Sequence, residues 1–184
     1  MNDDLVTWAE RVAREQLHEL PRRLGHVEGV ARRATQIAYA VDDPELLVAA
    51  AWLHDVGYGP QIAVTGFHPV DGAEFLSAHG APHRLCALVA NHSCACVEAR
   101  HRGVSLRWED EQTPLRDALW WADMSTTPTG EPTDVQSRIA EVLDRYGPEH
   151  VVSASVAESA PQLIAAAART QTAAQLAGIR LSDG

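Results

Sequence analysis

Lysine is absent from this sequence: all fifteen basic residues are arginine. A lysine Schiff base and a lysine general base are therefore excluded. Cysteine is scarce, with Cys86, Cys94 and Cys96 forming an odd set that contains no Cys-x-x-Cys pair. That excludes a disulfide framework and makes the cytoplasm the expected compartment. No uninterrupted apolar run approaches the roughly 20 residues that span a bilayer. The acidic start MNDDLVTWAE lacks the apolar centre of a secretory leader, so no membrane partner is expected. Positive charge is also short, the net charge being −10. A nucleic-acid duplex, which needs a basic face, is a poor partner for such a chain. No serine or cysteine is placed as an activated nucleophile.

The content of the chain is that of an ordinary folded domain. Apolar residues make up 46% and charged residues 22% of 184 positions, enough for one domain with a sizeable core. Helix signals dominate. Asp3 or Asp4 can cap a first helix with Leu5, Trp8, Val12 and Leu17 on its apolar side. Pro21 marks a break, and a second helix is expected over about 23–41. Asp43-Pro44 pairs a capping carboxylate with proline at a first helical position. The helix it opens, PELLVAAAWLHD, is apolar almost all round and is expected to be the central buried one. Further helices are expected from His68-Pro69 to Gly80, from Pro82 to about His92, and from Thr113-Pro114 through ALWWAD. The stretch 94–113 reads as a surface excursion. Beyond the loop TTPTGEPT, two or more helices follow, one ended by Gly147-Pro148 and another interrupted by Pro161. With no strand alternation, internal repeat or linker, the fold class is all-α: a compact multi-helix bundle spanning 1–184 as a single domain. Its motif-bearing core covers about 20–127 and its C-terminal helices about 132–180.

Chemistry is concentrated at the adjacent pair His54-Asp55, where the apolar helix runs out. In chain order with His26, His68, His92 and Asp123, the pair makes H…HD…H…H…D, a set large enough for two metal ions. All six residues fall at or near expected helix ends, where side chains can converge on the mouth of a bundle. Imidazole and carboxylate ligands without thiolate suit borderline-to-hard ions. Iron or manganese is favoured, and zinc, nickel, cobalt or magnesium is also compatible. A carboxylate can bridge two ions and an imidazole cannot, so Asp55 is the natural bridge. Two ions ~3.5–4 Å apart can hold a hydroxide nucleophile and clamp a phosphoryl oxygen.

The segments RRLGHVEGVARRA, LLVAAAWLHDVGYG, FHPVDGAEFL, ALVANHS and LWWADMS resemble the HD-domain superfamily of metal-dependent phosphohydrolases, an all-helical fold. The resemblance implies that His26, His54, Asp55 and Asp123 hold one ion. It implies that His68 and His92, with Asp55 shared, hold a second. The contexts of His68 and His92, and Arg23 three residues before His26, resemble members that hydrolyse dinucleoside polyphosphates. Tyr58 stands where many members carry lysine after the doublet, so no role of that lysine transfers. The segments 94–112 and beyond about 131 match no pattern.

The expected function is hydrolysis of a nucleotide or other small phosphorylated metabolite by a metal-bound hydroxide. Asp55 and His54 are the expected catalytic residues, and Arg23 and His92 are the expected substrate contacts. Arg22 is a weaker candidate for a phosphate, and Thr126 and Thr127 are candidates to line the pocket. Two alternatives share the ligand set: a di-iron oxygenase of a small substrate, and a non-catalytic metal- or nucleotide-binding regulatory module. A homodimer is compatible with the sequence. His18, His79, His83, His101 and His150 are expected at the surface. Cys94 and Cys96 are expected to be idle thiols rather than zinc ligands with His92 and His101. Trp8, Trp52, Trp120 and Trp121 are expected in the core.

Overall fold

Aspartate, threonine and proline set most of the helix starts in the computed structural model, which describes residues 4–181. Helix α1 (Leu5–Leu17) is capped by Asp4, whose side chain accepts from Thr7 N at 2.8 Å. The alternative cap, Asp3, lies outside the described residues. Helix α2 (Pro21–Ile37) has Pro21 in its first turn. Pro21 therefore opens this helix rather than breaking the chain, because a missing N–H costs nothing there. The helix also stops earlier than expected, and Ala38–Ala40 form a 3-10 turn. Helix α3 (Pro44–Leu53) is capped by Asp43, which accepts from Leu46 N at 3.2 Å.

Every residue of α3 from Leu46 to Leu53 is buried, as its all-round apolar pattern requires. It packs against α1, α2, α5 and α7, and each buried leucine contributes roughly 1.5–3 kcal/mol. After a 3-10 turn at Val56–Tyr58 come α4 (His68–Ala78), α5 (His83–Ala90), α6 (Ala95–Arg102), α7 (Pro114–Met124), α8 (Val135–Tyr146) and α9 (Val151–Leu176). Among the described residues there is no strand, only an isolated bridge between Thr126 and Pro132. Trp52, Trp120 and Trp121 are core residues, while Trp8 is partly buried against the core.

Two further expectations are corrected. The stretch 94–113 is not simply a surface excursion: it contains α6, which buries Ala95, Val97 and Ala99, and it buries Trp108. Its charged residues masked a short apolar face. Pro161 does not interrupt the last helix, since α9 runs through it. Packing of α9 onto α6, α7 and α8 overrides the local penalty of proline. By length and composition alone α9 could cross a membrane. Glu158 and Arg169 interrupt its apolar run, and its Ser155, Ser159, Leu163 and Ala166 are buried within the bundle.

Candidate metal centre

The helix ends converge as the sequence suggests. His26, in the second turn of α2, and His54, capping α3, have ring centroids 5.4 Å apart, and His92 lies 5.2 Å from His54. Each of these three rings is held by a main-chain carbonyl that can only accept. His26 Nδ1 donates to Thr127 O (2.9 Å), His54 Nδ1 to Ala51 O (2.8 Å) and His92 Nδ1 to Val89 O (2.7 Å). With Nδ1 committed, Nε2 is the atom each ring turns toward its neighbours, as in oriented metal ligands.

Asp55 stands among them with its two oxygens divided. Oδ2 lies 3.4 Å from His54 Nε2 and 3.9 Å from His26 Nε2. Oδ1 lies 3.1 Å from His68 Nε2 and 3.8 Å from His92 Nε2. The two groups His26–His54–Asp55 and Asp55–His68–His92 each bring ligand atoms within 4.8 Å of one another and could hold a metal ion. Asp123 joins the first group, with Oδ1 at 3.0 Å from His26 Nε2 and 3.9 Å from His54 Nε2.

The electrostatics call for a cation. Burial disfavours a charge on Asp55, yet Arg23 and His54 outweigh it and hold its carboxyl well below the usual range. Asp123 is also held low against burial, by its hydrogen bond with His26 and by His54. Burial likewise works against a charge on His54, but Asp55 and Asp123 raise its pKa to about 9. His92, buried beside His68 and His54, is lowered to about 4 and stays neutral. His54 Nε2 is fully buried and has no hydrogen-bond partner among the described residues. An orphaned imidazole nitrogen facing two carboxylates fits a metal ion, which would complete what no protein group supplies.

Local backbone features hold this arrangement. A Cβ added at Gly57 would lie 2.0 Å from His68 O. The turn after the His-Asp doublet therefore presses directly on the start of α4, and only glycine allows His68 to reach Asp55. Gly130, at φ +91°, presses likewise on Gly25 O and seats the loop that offers Thr127 O to His26. Asp71 accepts from Val64 N (3.1 Å) and Thr65 N (3.0 Å), tying down the loop ahead of His68. Ser93 and Cys94 adopt left-handed conformations at φ +46° and +62°, uncommon for such residues and typical of functional sites. The Ser93 hydroxyl donates to Asp123 Oδ2.

A cavity of about 270 Å³ opens onto the centre. Arg23, a sequence candidate, reaches Asp55 Oδ2 at 2.5 Å and lies 4.0 Å over the Tyr58 ring. Tyr58 stacks on His68 with centroids 4.0 Å apart. Arg22 lies away from the cluster and lines a neighbouring cavity of about 390 Å³. Thr126 and Thr127 do not line the central cavity: Thr126 is buried with its hydroxyl on Ala122 O at 2.7 Å, and Thr127 acts through its carbonyl. Cys94 and Cys96 belong to neither ligand group, and His101 pairs with Glu158 at 2.9 Å.

Sequence reasoning missed Tyr58 and Ser93 as site residues, and also the arginines of the far wall, Arg102, Arg138 and Arg145. His150, expected only at the surface, is exposed but also lines this cavity. The wall on α8 had a legible signal, because Arg138, Val142, Arg145 and Tyr146 recur at helical spacing. No sequence signal marks Ser93.

A family model for the HD domain matches residues 23–148. The chain belongs to the HD-domain family. The match takes in all six of the converging histidines and aspartates, and it extends through α8, well past the recognised motifs. No curated protein and no solved structure matched the chain.

Proposed function

We propose that this HD-domain chain is a metal-dependent phosphohydrolase acting on a nucleotide or another small phosphorylated metabolite. The reading is carried by the division of Asp55, whose two oxygens face separate histidine groups. In this reading His26, His54, Asp55 and Asp123 hold one divalent ion, and Asp55, His68 and His92 hold a second. Nitrogen and oxygen donors without thiolate favour iron or manganese. Ions bound there supply Lewis acidity, polarising a phosphoryl oxygen and lowering the pKa of water.

The side chains around the ligands prepare the site for an anion. Arg23 is partly buried, held over Tyr58 and next to Asp55, so its guanidinium is positioned to bind a phosphoryl oxygen. His92, kept neutral, presents a ring nitrogen rather than a competing charge. The net charge of −10 repels polyanions at a distance. Attraction is therefore local, from Arg23 and the arginines lining the cavity. That lining supports an anionic, phosphorylated substrate over a neutral one such as a polyol.

The test is a phosphate-release screen with anaerobically purified protein supplemented with Mn²⁺, Fe²⁺, Zn²⁺ or Mg²⁺, over nucleotides and sugar phosphates. Metal-dependent release of phosphate from at least one of them is expected. Oxygen consumption without phosphate release would overturn the reading. So would tight nucleotide binding without turnover under every metal.

A further inference from the structure

Facing the metal cluster across the cavity, α8 contributes Arg138, Val142, Arg145 and Tyr146 to the lining. Arg138 is buried, 8% exposed, and its Nε has no hydrogen-bond partner among the described residues. Its Nη1 donates to Glu141, and Glu141 also accepts from Arg145 Nη2 at 2.8 Å. Two guanidinium groups thus share a single carboxylate, which leaves one positive charge uncompensated beside the cavity. His150 completes the wall. Its Nδ1 accepts from Val152 N at 3.1 Å, so in the neutral ring the proton is on Nε2. Its ring lies 4.8 Å from that of Tyr146.

An anionic ligand in the cavity would balance the positive charge that the shared glutamate leaves. We propose that Arg138, Arg145 and His150 form a second anion subsite, which binds a second phosphate group of the same substrate whose scissile phosphoryl group sits at the histidine–aspartate cluster. The inference rests on the hydrolase reading for that second role, and it narrows the substrate class to molecules with two phosphate-bearing ends. Donors from three residues suit a tetrahedral dianion. A planar carboxylate would be satisfied by one guanidinium fork alone. Arg145 also lines the neighbouring cavity with Arg22 and Arg23, so a substrate longer than the central cavity has room to extend.

The test is calorimetric titration of inorganic phosphate, with acetate as the carboxylate control, into the full-length protein. It is run after dialysis against chelator and again after reloading with Mn²⁺. The chelated wild type is expected to bind a single phosphate, and binding should weaken at least about tenfold in Arg138→Gln. Reloading should add a second phosphate in both proteins. Arg145→Gln, at a half-exposed position, repeats the measurement should Arg138→Gln lose its circular-dichroism signal. Unchanged phosphate binding in the folded variants, or acetate binding as tightly as phosphate, would overturn the subsite. Loss of only the Mn²⁺-dependent phosphate would count against the hydrolase reading and leave the subsite standing.

Discussion

The two walls of the central cavity are built differently. On the α2–α7 side, three of the four imidazoles are locked by a main-chain carbonyl. Two tight glycine contacts fix the loops, and two adjacent residues are held in left-handed conformations. On the α8 side, the cavity is lined by long arginine side chains on an ordinary amphipathic helix, paired through a shared glutamate. The first wall is preorganised to hold ions at fixed positions, where sub-ångström placement matters. The second is adaptable and carries charge of the sign a phosphate needs. In the proposed hydrolase, chemistry and substrate choice would thereby be separated within a single cavity.

The comparison can be broken most severely at Asp55. Asp55→Ala removes the carboxylate common to both ligand groups. It is expected to abolish turnover, a larger loss than the roughly 10–100-fold that an outer-shell partner costs. Helical content should be kept, as circular dichroism can check. Gly57→Ala comes next. Its Cβ would lie 2.0 Å from His68 O, so either the turn or α4 must shift. The expected result is a destabilisation of roughly 1–3 kcal/mol in denaturant melts, together with reduced metal affinity, although no ligand is altered. An unchanged melt would mean that the rigid wall is more yielding than its geometry indicates.

A smaller and sharper effect is expected at Ser93. Ser93→Gly relieves the left-handed strain but loses the hydroxyl that donates to Asp123. Stability should be unchanged or raised by up to about 1 kcal/mol, while kcat falls. Ser93→Ala keeps the strain and loses the hydroxyl, so it should match the glycine variant in kcat and fall below it in stability. Equal activity of all three proteins would remove Ser93 from the site.

The smallest effect concerns Cys96, exposed in the first turn of α6. The neighbouring Cys94 thiol lowers the Cys96 pKa, and burial opposes that shift. Its thiolate therefore forms at a lower pH than an ordinary thiol's, and alkylation by iodoacetamide should show that lowered midpoint. In Cys94→Ser the midpoint should move up toward that of an ordinary thiol. A wild-type midpoint already at the ordinary value would show that the two thiols do not communicate.

The rigid wall was the more legible of the two. Its chemistry resides in residue types at helix ends, and Asp43-Pro44, His68-Pro69 and Thr113-Pro114 announce those ends through capping and proline geometry. Convergence of His26 on His54 followed from their places at helix ends. The left-handed Ser93 and Cys94 were not legible, because neither residue is a type that advertises positive φ. Helix α6 was hidden by its charges, and the continuity of α9 through Pro161 by tertiary packing that local propensity does not record. The arginines of α8 were visible as a helical stripe. What faces that stripe depends on how α8 docks, which no local pattern states.

In the proposed function one carboxylate serves two ion sites. The direct measurement is the metal content of anaerobically purified protein, determined by elemental analysis for the wild type, for a His68→Ala/His92→Ala double variant and for Asp55→Ala. About two ions per chain, about one and essentially none are expected, in that order. A full metal load in Asp55→Ala, or an undiminished load in the double variant, would contradict the shared carboxylate.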